Sequence, residues 1–313
     1  MAQPRKNNTP EAPFSVDTTI RHAPLGALWP GLATGLEQAD LRDWGALHQH
    51  AASYKPEPST EAEVAQLRIF CALELGLYEE AVLALEAAPA GSIQDRGVRL
   101  WLEARLQERR IGPKPGFYAY ERAYTVLRHL RRPPWLVLTL DGLGRTAYAQ
   151  RDYATAAMYY QHALSIARQE GFRPWLQVLT HNVGVSLQHL GGLQEAERYL
   201  QESLSLAQEM GEEWAQALSL YHLARLYHER MRYYGLAIPY YECALILFAR
   251  QGAQELYAQA RSGLVRCQQA LDALNVAAIV GLLSPEELEA RYVRSLVEHF
   301  SHTPRPEAYG RSA

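Results

Sequence analysis

Three stretches decide the fold: residues 140–171, LDGLGRTAYAQRDYATAAMYYQHALSIARQEG; residues 180–211, THNVGVSLQHLGGLQEAERYLQESLSLAQEMG; and residues 220–252, LYHLARLYHERMRYYGLAIPYYECALILFARQG. They are copies of one pattern. Leu143, Val183 and Leu223 lie 40 residues apart, as do Gly144, Gly184 and Ala224. Ala156, Ala196 and Ala237 are separated by 40 and 41 residues, and so are Gly171, Gly211 and Gly252. A tryptophan opens each copy: Trp135, Trp175 and Trp214. Small residues at 144, 184 and 224, and alanines at 156, 196 and 237, let two helices approach closely. Gly171, Gly211 and Gly252 follow long apolar-periodic runs, where a helix ends on a left-handed residue. Short polar turns such as Arg151-Asp152 and Gly191-Gly192 separate the two helices of a copy. Each copy is thus a helical hairpin that cannot bury its own apolar face, and stacking the hairpins buries it.

The residues Leu140, Leu143, Gly144, Tyr148, Tyr153, Ala156, Tyr160 and Ala163 in the first copy carry a resemblance. So do Val183, Gly184, Leu187, Leu193, Ala196 and Leu200 in the second. The chain resembles the tetratricopeptide repeat superfamily, whose usual period is about 34 residues. The longer period here is similar to that of bacterial signalling regulators of the maltose-activator and quorum-sensing-receptor kind. The resemblance implies an all-α, right-handed superhelical solenoid of about five to seven hairpins, with the first helix of each hairpin lining a concave side.

Weaker copies flank the centre. Residues 25–130 read as degenerate repeats: 25–54 around Gly35, Asp43 and Trp44, 62–88 around Gly76, Tyr78 and Ala81, and 96–130 with an insert near Gly112-Pro113-Lys114-Pro115-Gly116. Residues 135–252 hold the three well-formed repeats, and 256–302 a decayed repeat followed by a capping helix. That helix begins at Ser284-Pro285-Glu286-Glu287, a capping box with proline in the first turn. Its stripe of Leu288, Tyr292, Leu296 and Phe300 would close the last repeat or pair two chains as a homodimer. Residues 1–20 and 303–313 have the composition of disordered tails.

The composition is globular, 48% hydrophobic and 21% charged. The net charge of −3 argues against a protein that coats nucleic acid. Arginine greatly outnumbers lysine, which occurs only at Lys6, Lys55 and Lys114. Cys71, Cys243 and Cys267 are odd in number and far apart, which fits reduced thiols in a cytoplasmic protein and no disulfide framework or zinc site. No apolar run follows Arg5 and Lys6 as in a signal peptide, and none approaches a membrane span.

Equivalent offsets in successive first helices stack side chains into rows. One row is Arg145, Val185, Arg225 and Arg266, extended backwards by Arg105. A second is Asp141, His181, Tyr221 and Ser262, and a third is Gly142, Asn182, His222 and Gly263. Tyr148 lies at the far end of its helix. The candidate ligand-binding residues are therefore Arg145, Tyr148, His181, Asn182, Tyr221, His222, Arg225 and Arg266. Guanidinium forks and amides suit carboxylates and peptide backbone. Under the resemblance, Asn182 falls where the family often places a peptide-holding asparagine.

Gly142-Leu143-Gly144-Arg145-Thr146-Ala147 loosely matches a dinucleotide pattern, but it lies inside a helical run, not after a strand. The groove histidines His181, His189, His222 and His228 offer no pair at metal-ligand spacing, and no nucleophile elbow or phosphate loop occurs. The expectation is a non-catalytic protein-interaction module without metal or cofactor, binding an acidic or C-terminal peptide segment of another protein. The alternative is a peptide- or small-ligand-sensing regulator acting through a partner.

Overall fold

The computed structural model describes residues 28–32, 44–53, 59–88, 93–130 and 133–279, together with Glu57 and Gly91. Among the described residues the regular structure is all helix: α1 (Trp44–Ser53), α2 (Glu61–Glu74), α3 (Tyr78–Ala87), α4 (Ile93–Arg110), α5 (Pro113–Leu127), α6 (Pro133–Ala149), α7 (Tyr153–Glu170), α8 (Arg173–Leu190), α9 (Leu193–Glu209), α10 (Glu213–Arg225), α11 (Tyr234–Arg250) and α12 (Gln254–Ile279). A short 3-10 turn at Pro30–Leu32 precedes them. The chain divides into two compact units at Ser186 and Leu187. Among the described residues no helix is long and apolar enough to cross a membrane.

In the first unit α2/α3, α4/α5 and α6/α7 form successive hairpins. The turns are tight because one residue in each takes a left-handed or positive φ: Gly76 at 76°, Gly112 at 127° and Arg151 at 65°. Asp152 then caps α7 by accepting from the Thr155 amide at 3.1 Å. The segment Gly112–Gly116 is not an insert. Pro113 opens α5, where its missing N–H is no loss and its fixed φ is preorganised. An aromatic cluster holds the start of the unit together. Trp29 meets Phe70 and Trp135 edge-on at 5.4 Å, Trp101 meets Trp135 at 5.3 Å, and Trp135 Nε1 donates to the Leu28 carbonyl at 3.1 Å.

The second unit begins with the last turn of α8 and continues through α12. Its distinguishing feature answers the change of period from 40 to 41 in the sequence. Ala224 keeps the 40-residue spacing and Ala237 does not, so the extra residue falls between them. The chain absorbs it as a π-helical turn, Leu226–Met231, closed by the Tyr233 amide on the Tyr227 carbonyl at 2.8 Å. Arg232 leaves the turn at φ 60°.

The small-residue landmarks behave as their chemistry requires. Ala156, Ala196 and Ala237 are fully buried, and Gly171, Gly211 and Gly252 take φ of 71°, 69° and 66°. Cys71, Cys243 and Cys267 are buried free thiols, and burial pushes Cys71 up to about 12. Gly35, Asp43, the tails 1–20 and 303–313 and the expected helix 284–302 lie outside the described residues.

Candidate functional site

Arg145 projects from α6 in the first unit, but its guanidinium is enclosed. Its Nε donates to Glu108 Oε1 at 2.7 Å, Nη2 to Glu108 Oε2 at 2.6 Å, and Nη1 to Asp141 Oδ2 at 2.9 Å. Arg105, one hairpin earlier in the same row, donates from Nε and Nη2 to the two oxygens of Glu74 at 3.0 and 3.1 Å, and from Nη1 to Glu108 at 3.2 Å. Tyr120 closes the cluster by donating to Glu108 Oε2 at 2.9 Å. Burial alone would raise the Glu108 carboxyl, but Arg145, Arg105 and the Tyr120 hydroxyl hold it down at about 2. Asp141 goes the other way, because burial outweighs the help of Arg145 and raises it. This forked network ties α2, α4, α5 and α6 together.

The other first-unit candidates are also inside. Tyr148 is buried against Tyr153, with ring centres 5.1 Å apart. His181 and Asn182, on α8, are buried as well, and Asn182 Oδ1 accepts no hydrogen bond from a described residue. At these positions of α6 and α8 periodicity suggests exposure, but the side chains are buried.

In the second unit the geometry is more open. Arg225 ends α10 and donates from Nε and Nη2 to Glu229 Oε2 at 3.3 and 3.1 Å. Arg266, on α12, approaches the other oxygen of the same carboxylate at 3.7 Å and is 61% exposed. Glu229 thus lies between two guanidinium groups. Its place is set by the π-turn, which widens the backbone directly after Arg225. The Arg225 guanidinium also lies over the Tyr221 ring at 5.7 Å. Tyr221 donates to Gln259 Oε1 at 3.4 Å, and His228 Nδ1 is 3.2 Å from the Tyr241 hydroxyl. His222 is buried, and burial together with His189 holds its imidazole down at about 3, so it is neutral.

Within the second unit, then, Tyr221, Arg225 and Arg266 come together around Glu229, a residue absent from the sequence reading. Its signal was present as an i, i+4 Arg225–Glu229 pair, and Asp141–Arg145 and Arg105–Glu108 carry comparable helical spacings. Glu74 and Tyr120 had no such signal, because their partners lie on other helices. The dinucleotide-like Gly142–Ala147 run is mid-helix in α6. Among the described residues no group of His, Cys, Asp and Glu is placed to hold a metal ion.

The tetratricopeptide repeat family model matches residues 176–248. Among solved structures the chain is similar to the apo form of RapI, with 12% identity and a TM-score of 0.58 over 70% of this chain and 85% of that one. It is similar to aspartyl phosphate phosphatase F from Bacillus subtilis, with 11% identity and a TM-score of 0.54 over 95% and 92% of the two chains. It is similar also to a Rap protein complexed with Competence and Sporulation Factor, with 14% identity and a TM-score of 0.54 over 94% and 92%. No curated protein matches it significantly in sequence. The fold is that of a tetratricopeptide-repeat protein. The three solved relatives share that fold at low identity, and the repeats matched by the family model span α8 to α11.

Proposed function

We propose that the chain is a non-catalytic protein-interaction module that binds an acidic or C-terminal peptide segment of a partner. The observation that carries this reading is the Arg225–Glu229–Arg266 cluster of the second unit. Two guanidinium groups share one carboxylate, and Arg266 is largely exposed. A ligand carboxylate can take the same forked hydrogen bonds that Glu229 now accepts. Tyr221, buried beneath Arg225 with its ring 5.7 Å from the guanidinium, holds that guanidinium in place. Arg145 has no place in this reading, since its guanidinium is enclosed and held by two carboxylates, Glu108 and Asp141, with no exposed arginine among the described residues beside it as Arg266 stands beside Arg225.

The second reading is a regulator that answers a peptide or small ligand and acts through another protein. It is favoured by the likeness of fold to a Rap protein solved with Competence and Sporulation Factor.

Titration with acidic and neutral peptides of equal length, at several salt concentrations, tests the proposal. The Arg225→Glu/Arg266→Glu variant should lose the acidic peptides and flatten the salt dependence of any residual binding. Equal affinity of variant and wild type would remove the cluster as the contact surface.

A further inference from the structure

In the first unit α2, α3 and the first half of α4 enclose a crevice of about 220 Å3. Its floor is apolar and buried: Ile69, Leu85 and Leu102. Ala62 and Ala65 stand on the same stripe of α2 as Ile69, and Ala88 ends the opposite wall. The space exists because these three wall positions carry alanine, where longer side chains would close it.

One wall of the crevice is polar and fixed. Trp29 Nε1 donates to Gln66 Oε1 at 3.2 Å, and Gln66 Nε2 donates to Asp95 Oδ1 at 3.0 Å. The chain passes closely over the other side of Asp95, since a Cβ on Gly91 would fall 2.6 Å from Asp95 Oδ2. The Asp95 carboxylate is thereby bonded to the Gln66 amide and packed close to Gly91. Arg96 and Arg99 stand at the rim one turn apart on α4. Arg96 is exposed and has no partner among the described residues. Glu103 takes only the Nε of Arg99, at 3.2 Å, which leaves its terminal amino groups for another acceptor. An apolar hole with a rigid polar wall and convergent donors at its mouth has the make-up of a small-molecule site.

We propose that this crevice binds a small amphiphilic carboxylate. A cavity of roughly 150 Å3 accommodates benzene, so this one suits an aliphatic tail of about five to eight carbons. The tail lies against Ala62, Ala65 and Ala88, with Ile69, Leu85 and Leu102 packed behind them, and the carboxylate is taken by Arg96 and Arg99. A cationic head group would meet two guanidinium groups against the single Asp95 carboxylate, whose Oδ1 already accepts from Gln66, and is disfavoured. The site is independent of the Arg225–Glu229–Arg266 cluster, and neither reading rests on the other.

Calorimetric titration of the full chain with octanoate, acetate and octylamine tests the site, with Arg96→Glu and Ala62→Leu as variants. Arg96 is exposed, so its replacement leaves the fold intact, which thermal melting checks. Octanoate should bind saturably and acetate and octylamine should not. Each variant should weaken octanoate by at least about tenfold, one by losing a charge-assisted contact and the other by filling the hole. Absence of octanoate binding to the wild type, or equal binding by both variants, would overturn the proposal. So would binding of a tetrapeptide ending in leucine more than about tenfold tighter than octanoate, which would assign the crevice to a peptide terminus.

Discussion

Arg145 and Glu108 are separated by 37 residues in the chain, yet their side chains meet through two parallel hydrogen bonds of 2.6 and 2.7 Å. Glu108 also faces Arg105 at 3.2 Å, so one carboxylate balances two largely buried guanidinium groups from successive hairpins. The relationship changes what an arginine in a repeated row means. Here it is a strut between helices.

Removing that carboxylate should be costly. Glu108→Ala leaves Arg105 and Arg145 with buried, incompletely paired charge, and the expected loss of stability is about 3–5 kcal/mol. Urea unfolding followed by circular dichroism measures it. A loss below about 1 kcal/mol would mean that water replaces the carboxylate freely.

The same residue sets an acid limit. Glu108 titrates at about 2 in the folded chain against an ordinary value of 4.5. As pH falls, the unfolded chain therefore takes up this proton first. The Glu108 contribution is full above about 4.5 and disappears as pH falls to about 2. Asp141, whose carboxyl burial raises, acts with the opposite sign and partly offsets the loss. Glu108→Gln should flatten the fall in stability across that window, read from unfolding midpoints at successive pH values.

His222 governs a higher window. Its folded value of about 3 lies below the ordinary 6.5, so the unfolded chain binds this proton first on acidification. Stability from this group is complete above pH 6.5 and declines as pH falls towards 3. His189 and His228, both lowered by burial, add the same sign. His222→Gln should reduce the slope of stability against pH between 6.5 and 4.5 without abolishing it. An unchanged slope would place His222 in water.

Two glycines of α6 are fixed by tyrosines on adjacent helices. A Cβ on Gly142 would lie 2.6 Å from the Tyr120 ring, and one on Gly144 would lie 2.7 Å from the Tyr160 ring. Gly144→Ala gains up to about 1 kcal/mol of helix propensity but forces two helices apart, which costs about 1–3 kcal/mol. A net drop in melting temperature is expected for either alanine variant.

Arg232 offers the reverse case. It holds φ 60° after the π-turn, the place that Gly191 fills one repeat earlier at φ 89°. Arg232→Gly should stabilise the second unit by about 0.5–1 kcal/mol, since glycine adopts this backbone without a Cβ clash. Thermal melting beside Arg232→Ala, which keeps the strain, isolates the backbone effect.

The hairpin repeats were legible because each landmark acts locally. Gly171, Gly211 and Gly252 end helices wherever they stand in space, and Ala156, Ala196 and Ala237 mark close helix contact at a fixed distance from those ends. The slip from 40 to 41 was visible as well, and even its location between Ala224 and Ala237. Its conversion into a π-turn, and not a longer loop, required the helices on both sides to hold their places.

The sequence by itself thus determined an all-helical repeat protein, its hairpin boundaries and the residues that let helices approach. It also placed Arg105, Arg145, Arg225 and Arg266 in one row. Only the tertiary structure decided what each of them does. Arg105 and Arg145 meet Glu74, Glu108 and Asp141 and become buried struts, whereas Arg266 meets one distant oxygen of Glu229 and stays exposed. The physical reason is that periodicity fixes the direction of a side chain on its own helix. The charge that meets it, and the water left around it, depend on residues brought in from other helices at separations no local pattern records.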